Sequence, residues 1–367
     1  MKEQKTKILK IVITAATLLI LFVSGGLITK TPLKERGIVV GLGLDKAGDK
    51  ILLLAQIILS GESSTPGSAS AFDVLEGKGT TLSEAFDDLA KKGTLVPSYA
   101  HCNILFVGKK LLEDNFDEIA KNLFDSNVIQ DNTQLVVSDD AKDSISAVVP
   151  ISNTPSEYME KEIKLTAENG GRSVVSLKDF VQRKCITAGS RYLTYAKKIE
   201  ANAPTGENTS KSDKEVYLFD LSNTAVFDLD GKVRYYDKSV TEGIGLVEAT
   251  GGNVTCYDDD KYLTVDILKT IKFRKYEKDP AKVISNYTYY ARISEQTLEE
   301  NIDDLDLKKA EELVQKTIKE KIRFSYDKSV EDNVDLFSLI GRLYKRYGIK
   351  FDLKDIEWEV NVNVIIR

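Results

Sequence analysis

The stretch Ile38-Val-Val-Gly-Leu-Gly-Leu-Asp45, followed by Lys46-Ala-Gly-Asp-Lys50 and Ile51-Leu-Leu-Leu-Ala-Gln-Ile-Ile-Leu59, decides the fold class. Two apolar runs flank a short Gly-containing turn, which reads as strand, turn and returning strand. Gly41-Leu-Gly43 after a strand has the start of a dinucleotide-binding loop. The next glycine of that pattern is missing, because position 46 is Lys46, and a second strand follows where a helix is required. The hairpin is the better reading.

Outward from this hairpin, Gly61 to Ser70 is a loop of small residues. Thr81 and Glu84 have capping-box spacing, and Leu82, Ala85, Phe86 and Leu89 follow at helical intervals. Asn103 to Val107 reads as a buried strand, and Leu111, Leu112, Phe116, Ile119, Ala120, Leu123 and Phe124 as the stripe of one helix. Thr133 to Val137 reads as a strand, with a short helix near 141–148. Pro155 suits the first turn of a helix through Tyr158, Ile163 and Leu165, and Leu177, Phe180 and Val181 suggest another. Strands and helices in alternation predict sheets with crossovers. The fold class expected is α+β: several domains, mixed sheets and packed helices behind an N-terminal hydrophobic segment.

Residues 201–214 are polar, contain Pro204 and Gly206, and show no periodicity. They are read as a linker between an N-terminal region (31–200, with a possible sub-boundary at 150–155) and a C-terminal domain (215–367). In the latter, Val216–Phe227 and Val233–Tyr236 are joined by the Asp-Gly turn at Asp230-Gly231. Strands are expected near Ile244–Val247, Tyr262–Phe273 and Val283–Ile293. One helix carries Ala310, Leu313, Val314 and Ile318, and a second carries Leu336, Phe337, Ile340, Leu343, Tyr344 and Tyr347. Trp358 to Val364 alternates with period two, as a strand does.

The 367 residues are 42% hydrophobic and 29% charged, enough apolar content for a folded core and against wholesale disorder. Fifty-one basic against 57 acidic residues give a net charge of −6, which argues against a nucleic-acid binder. Three cysteines without a C-x-x-C pair fit neither a disulfide scaffold nor a zinc ribbon. The single histidine, His101, nearly excludes multi-His metal sites, and strand alternation points its neighbour Cys102 the other way. His101 therefore reads as structural. Asp228-Leu-Asp-Gly231 and Asp258-Asp-Asp260 read as turns, because the other ligands of a calcium loop are missing. No catalytic, cofactor-binding or metal-binding residue is assigned, and no cofactor is expected. The alternatives weighed are an exported hydrolase using His101 with a carboxylate and a secreted interaction module.

At the N-terminus, Lys2, Lys5, Lys7 and Lys10 precede an uncharged run from Ile11 to Ile28. A basic head before an apolar run is an export pattern. As a helix the run would span about 27 Å, close to the thickness of a bilayer core. Residues 1–30 are thus read as a signal peptide, cleaved after Gly25, or as a signal anchor. In both cases the rest of the chain lies outside the cytoplasmic membrane.

Several segments together resemble the Ger(x)C proteins, the C subunits of spore nutrient-germinant receptors in Gram-positive spore formers. The segments are Glu35 to Lys46, Gly79 to Ala85, Ala100 to Gly108, Thr224 to Gly231, Thr241-Glu-Gly-Ile-Gly245, Asp335 to Gly341 with Tyr344, and Trp358 to Val364. The resemblance implies a non-enzymatic subunit on the outer face of the spore inner membrane. Its partners would be the membrane, a multi-pass B subunit and an A subunit with its own membrane domain. Members usually carry a lipid-modified cysteine; here Val23-Ser24-Gly25 is followed by Gly26. The run 11–28 is then left as the anchor, unless it is cleaved. A subunit of this kind acts through surfaces, and Tyr287, Tyr289 and Tyr290 are the candidate partner surface, since Tyr joins apolar area to a hydroxyl. Alternation puts Tyr287 and Tyr289 on one face and Tyr290 on the other, and one face must pack on the helices.

Overall fold

The computed structural model describes residues 13–17, 35–58, 72–150, 152–168, 175–186, 191–201, 215–228, 230–248, 251–298 and 306–367. Of the expected anchor, only 13–17 falls among them, as a short helical stretch; the rest of the anchor and the 61–70 loop lie outside the described residues. No helix among the described residues is long and apolar enough to cross a membrane.

The hairpin is present as β1 (Arg36–Ala47) and β2 (Lys50–Ile58), antiparallel, with Gly48 at φ 63° in the turn. Around it grows a large mixed sheet that also contains β3 (Phe72–Gly79), β4 (Val96–Ser98), β5 (Ile104–Gly108), β6 (Gln134–Ser138), β7 (Arg191–Glu200), β8 (Tyr217–Phe227) and β9 (Val233–Tyr236). Its order is β3-β2-β1-β5-β6-β7-β8-β9, with β4 beside β1. The centre, β1-β5-β6-β7, is parallel and both flanks are antiparallel.

Helices cover both faces. On one face lie α1 (Leu82–Lys92), α2 (Lys109–Leu112), α3 (Phe116–Ser126) and α6 (Leu177–Ile186); on the other lie α4 (Ala141–Ile145) and α5 (Pro155–Glu168). Strand β5 serves both layers: Leu105 and Val107 enter the first, Ile104 and Phe106 the second. A central parallel strand therefore reads as an unbroken apolar run. The capping box of α1 is formed, with Thr81 Oγ1 accepting the Glu84 N–H at 3.2 Å and Glu84 Oε2 accepting the Thr81 N–H at 3.4 Å. The single stripe expected from Leu111 to Phe124 divides into α2 and α3 at Asp114-Asn115. Both residue types have low helix propensity, and Asp114 Oδ2 accepts instead from Lys46 Nζ at 2.7 Å.

The second sheet has the order β10-β11-β12-β13, from β10 (Gly252–Asp258), β11 (Lys261–Glu277), β12 (Lys282–Gln296) and β13 (Glu357–Ile366). Its first three strands are antiparallel and β13 runs parallel to β12. One face is covered by α7 (Lys238–Glu248), α8 (Leu307–Glu331) and α9 (Leu339–Tyr347). The buried stripe of α8 includes Ala310, Val314, Ile318 and Ile322 at four-residue spacing.

Residues 201–214, the expected linker, connect β7 to β8, which pair directly from Glu200 opposite Tyr217, with the Ala201 N–H donating to Val216 O at 2.8 Å. Residues 202–214 themselves lie outside the described residues. At the possible sub-boundary, Thr154 and Ser156 are buried, and the Ser156 N–H donates to Gln56 Oε1 at 3.3 Å. The strand expected near Ile244–Val247 is the end of helix α7. Val240, Ile244 and Val247 share a helical face, and Asp237 Oδ1 accepts the Ser239 N–H at 3.0 Å at its start. Strand β7, for which the sequence reading placed no element, completes the parallel centre.

Candidate functional site

The site residues proposed from sequence lie on β12, and pairing determines which way each points. Opposite residues of neighbouring strands share a face, so Tyr287 and Tyr289 face the helices with Val283 and Ser285, beside Trp358, Val362 and Val364 of β13. Tyr287 and Tyr289 are each 1% exposed. The Tyr289 hydroxyl donates to Leu246 O of α7 at 2.9 Å, and burial raises its pKa. Both therefore belong to the core and are withdrawn from the partner surface. Tyr290 is half-buried on the opposite, uncovered face, with the Arg367 guanidinium 5.2 Å from its ring centroid.

That uncovered face carries apolar residues as well. A register shift in β11 between Ile267 and Lys269 changes which residues point outward. Upstream, Leu263, Val265 and Ile267 are buried; downstream, Ile271 and Phe273 lie 46% and 63% exposed, opposite Thr288 and Asn286. Tyr290, Ile271 and Phe273 thus share an open face, bordered by the Asn361 Nδ2 to Asn286 Oδ1 hydrogen bond at 3.1 Å.

His101 is exposed in a single 3-10 turn, while Cys102 is fully buried with its thiol pushed up to about 12 by desolvation. Asp228 Oδ1 accepts the N–H groups of Asp230 and Lys232, at 3.0 and 2.8 Å, so this acidic motif closes a turn. Asp258 pairs with Lys261 across the tip of the β10–β11 hairpin. Among the described residues no group of three or more His, Cys, Asp or Glu could hold a metal ion. A cavity of about 640 Å³ lies between the two sheets, lined by Asp220, Asn223, Thr241, Glu242 and Lys321. Lys321 pairs with Glu242 there at 2.9 Å, and Asp220 Oδ2 accepts from the Asn223 amide at 3.3 Å.

The glycines of the sequence motifs are packing devices. A Cβ on Gly41 would lie 1.9 Å from Ser156 Oγ of α5, and one on Gly243 would lie 2.4 Å from the main-chain oxygen of Lys321 in α8. The motif glycines of β1 and α7 therefore bring backbone against helix.

Comparison with known proteins agrees with this two-part architecture. Residues 29–198 match the family model described as spore germination protein N-terminal domain. Residues 222–367 match the one described as spore germination B3/GerAC-like, C-terminal. The boundary between these models falls in the β7–β8 connection, although both strands belong to one sheet. Among curated proteins there is no significant match. A solved structure titled as the crystal structure of the GerBC protein superposes with a TM-score of 0.51 at 13% identity, covering 89% of this chain and 96% of that one. The two family models together span most of the sequence, and the chain belongs to the Ger(x)C, or GerAC-like, family of spore germination proteins.

Proposed function

We propose that this chain is the C subunit of a nutrient germinant receptor, exported and membrane-associated, acting in nutrient-triggered spore germination without catalysis of its own. The observation that carries this reading is the ordered match to both halves of the family, 29–198 and 222–367. The run 11–28 anchors the chain, because Gly26 stands where family members carry the acylated cysteine. The folded part then sits on the extracytoplasmic face, at the spore inner membrane. Its partners there are the A and B subunits, and the uncovered face with Tyr290, Ile271 and Phe273 is the surface offered to them.

The test is purification of the full-length chain, tagged at its C-terminus, from detergent-solubilised spore membranes. A multi-pass membrane protein encoded beside it should co-purify in stable proportion. Recovery of the chain free of membrane proteins, or only from the soluble fraction, overturns the reading.

A further inference from the structure

Strand β11 breaks the usual rule for a half-covered sheet. Downstream of its bulge it turns Thr270, Lys272 and Arg274 toward the helix-covered side and leaves Ile271 and Phe273 outside. Arg274 is half-buried and Lys272 stays exposed at the rim, so cationic side chains stand where a half-covered sheet ordinarily places apolar ones. Here Lys272 and Arg274 line a cavity of about 420 Å³, bounded by the end of α7, the segment before α9, and Arg342 of α9.

The polar inventory of this cavity is unbalanced. Lys272 Nζ donates to the main-chain oxygen of Glu248 at 2.6 Å, and desolvation holds the ammonium below its ordinary pKa, with Arg274 adding to the effect and Glu248 opposing it. Arg274 spends Nη2 on the Tyr287 hydroxyl at 2.9 Å, while Nη1 is buried without an acceptor. The Glu248 carboxylate, which lines the cavity as the counter-charge to Lys272, Arg274 and Arg342, accepts from the Tyr192 hydroxyl through Oε1 and acts electrostatically on Lys272. The other nearby carboxylate, Asp335, accepts the N–H groups of Leu339 and Ile340 at 2.7 and 2.9 Å. Cationic donors remain in excess. The cavity adjoins a second, of about 590 Å³, which shares Tyr276 and Arg342 and adds Lys345 and Arg346. On a chain of net charge −6, this is a local concentration of positive charge.

We infer that the cavity between β11, α7 and α9 binds a phosphate group, held by Lys272, Arg274 and Arg342. A tetrahedral oxyanion supplies several acceptors at once, which suits a guanidinium with a free N–H beside a desolvated ammonium. The basic lip at Lys345 and Arg346 suits either a free phosphate compound or the headgroup of an anionic lipid. This inference is independent of the receptor reading, because it concerns binding by the purified chain alone.

The experiment uses the full-length chain in two arms. One arm titrates inorganic phosphate by calorimetry; the other measures flotation with phosphatidylcholine vesicles, with and without phosphatidylglycerol. Saturable binding is expected in at least one arm, and it should be weakened about tenfold or more by Lys272→Met, by Arg274→Gln and by Arg342→Gln. Lys275→Gln, on the opposite face of the strand, should leave it unchanged. Binding in the phosphate arm identifies a free phosphate source, and binding confined to phosphatidylglycerol vesicles identifies a headgroup. Arg342 is exposed, so its variant tests the site even if Arg274→Gln fails to fold. Absence of binding in both arms overturns the inference, as does binding that the folded Lys272 and Arg342 variants leave undiminished.

Discussion

Asp45 Oδ2 accepts the main-chain N–H of Ala141 at 2.9 Å, joining the end of β1 to the first turn of α4 across 96 positions of sequence. The other oxygen accepts the Lys46 N–H at 2.8 Å, and Lys46 reaches Asp114 at 2.7 Å. Gly108 leaves room for the carboxyl, since a Cβ there would lie 2.3 Å from it. The Gly-x-Gly-x-Asp-Lys motif at 41–46 is thus a joint between the central strands and the helices of one face.

Asp45→Ala should therefore lower stability by about 1–3 kcal/mol, because it strands a buried helix N–H. Urea denaturation of the variant beside the parent chain measures this. An unchanged midpoint would show that the joint contributes nothing.

Gly243→Ala should destabilise even though alanine is the better helix former. The added Cβ meets the Lys321 carbonyl, which is main chain and moves only if α8 moves. Overpacking of this kind costs about 1–3 kcal/mol, more than the gain of about 1 kcal/mol from helix propensity. A melting temperature equal to or above the parent's would refute the close α7–α8 contact.

The β12 tyrosines should separate cleanly. Tyr287→Ser removes a buried ring and is expected to cost about 3–5 kcal/mol, while Tyr290→Ser, on the open face, costs about 1 kcal/mol or less. Tyr290→Ser should instead reduce co-purification with the membrane subunits. Equal destabilisation by both variants would contradict the assigned faces.

Asp335 gives a pH signature of definite sign. Burial, opposed by hydrogen bonds from the N–H groups of Leu339, Ile340 and Gly341, raises its carboxyl from 3.8 to about 6. The folded chain then holds this proton more tightly than the unfolded chain. The stabilising contribution is complete below about 3.8 and is lost as pH rises through about 6. The stability of the parent minus that of Asp335→Asn should fall across this window, by roughly 3 kcal/mol at about 1.4 kcal/mol per unit. Denaturation of both proteins at a series of pH values tests it; a difference that is flat or rises with pH refutes it.

Cys102 and Cys256 are buried free thiols, both raised by desolvation. In the native chain they should resist iodoacetamide at neutral pH and become reactive on unfolding, as peptide mass mapping can follow. Rapid native labelling of Cys102 would mean that the strand beside it opens readily.

Where structure depends on near neighbours, the amino-acid order was sufficient. The β1–β2 hairpin, the Thr81–Glu84 capping box, the four-residue stripe of α8 and the alternation of β13 rest on propensity and periodicity within a few positions. The division of Tyr287 and Tyr289 from Tyr290 was equally legible, because alternation is local. Which of the two faces would be covered was not, since that depends on α7 and α8, which lie far away in sequence. The inward turn of Lys272 and Arg274 follows from a bulge specified by pairing with β12. The pairing of β7 with β8 likewise depends on a parallel centre assembled from distant strands. Local chemistry determines which elements form. Contacts between distant segments determine how those elements are ordered and which side chains they leave exposed.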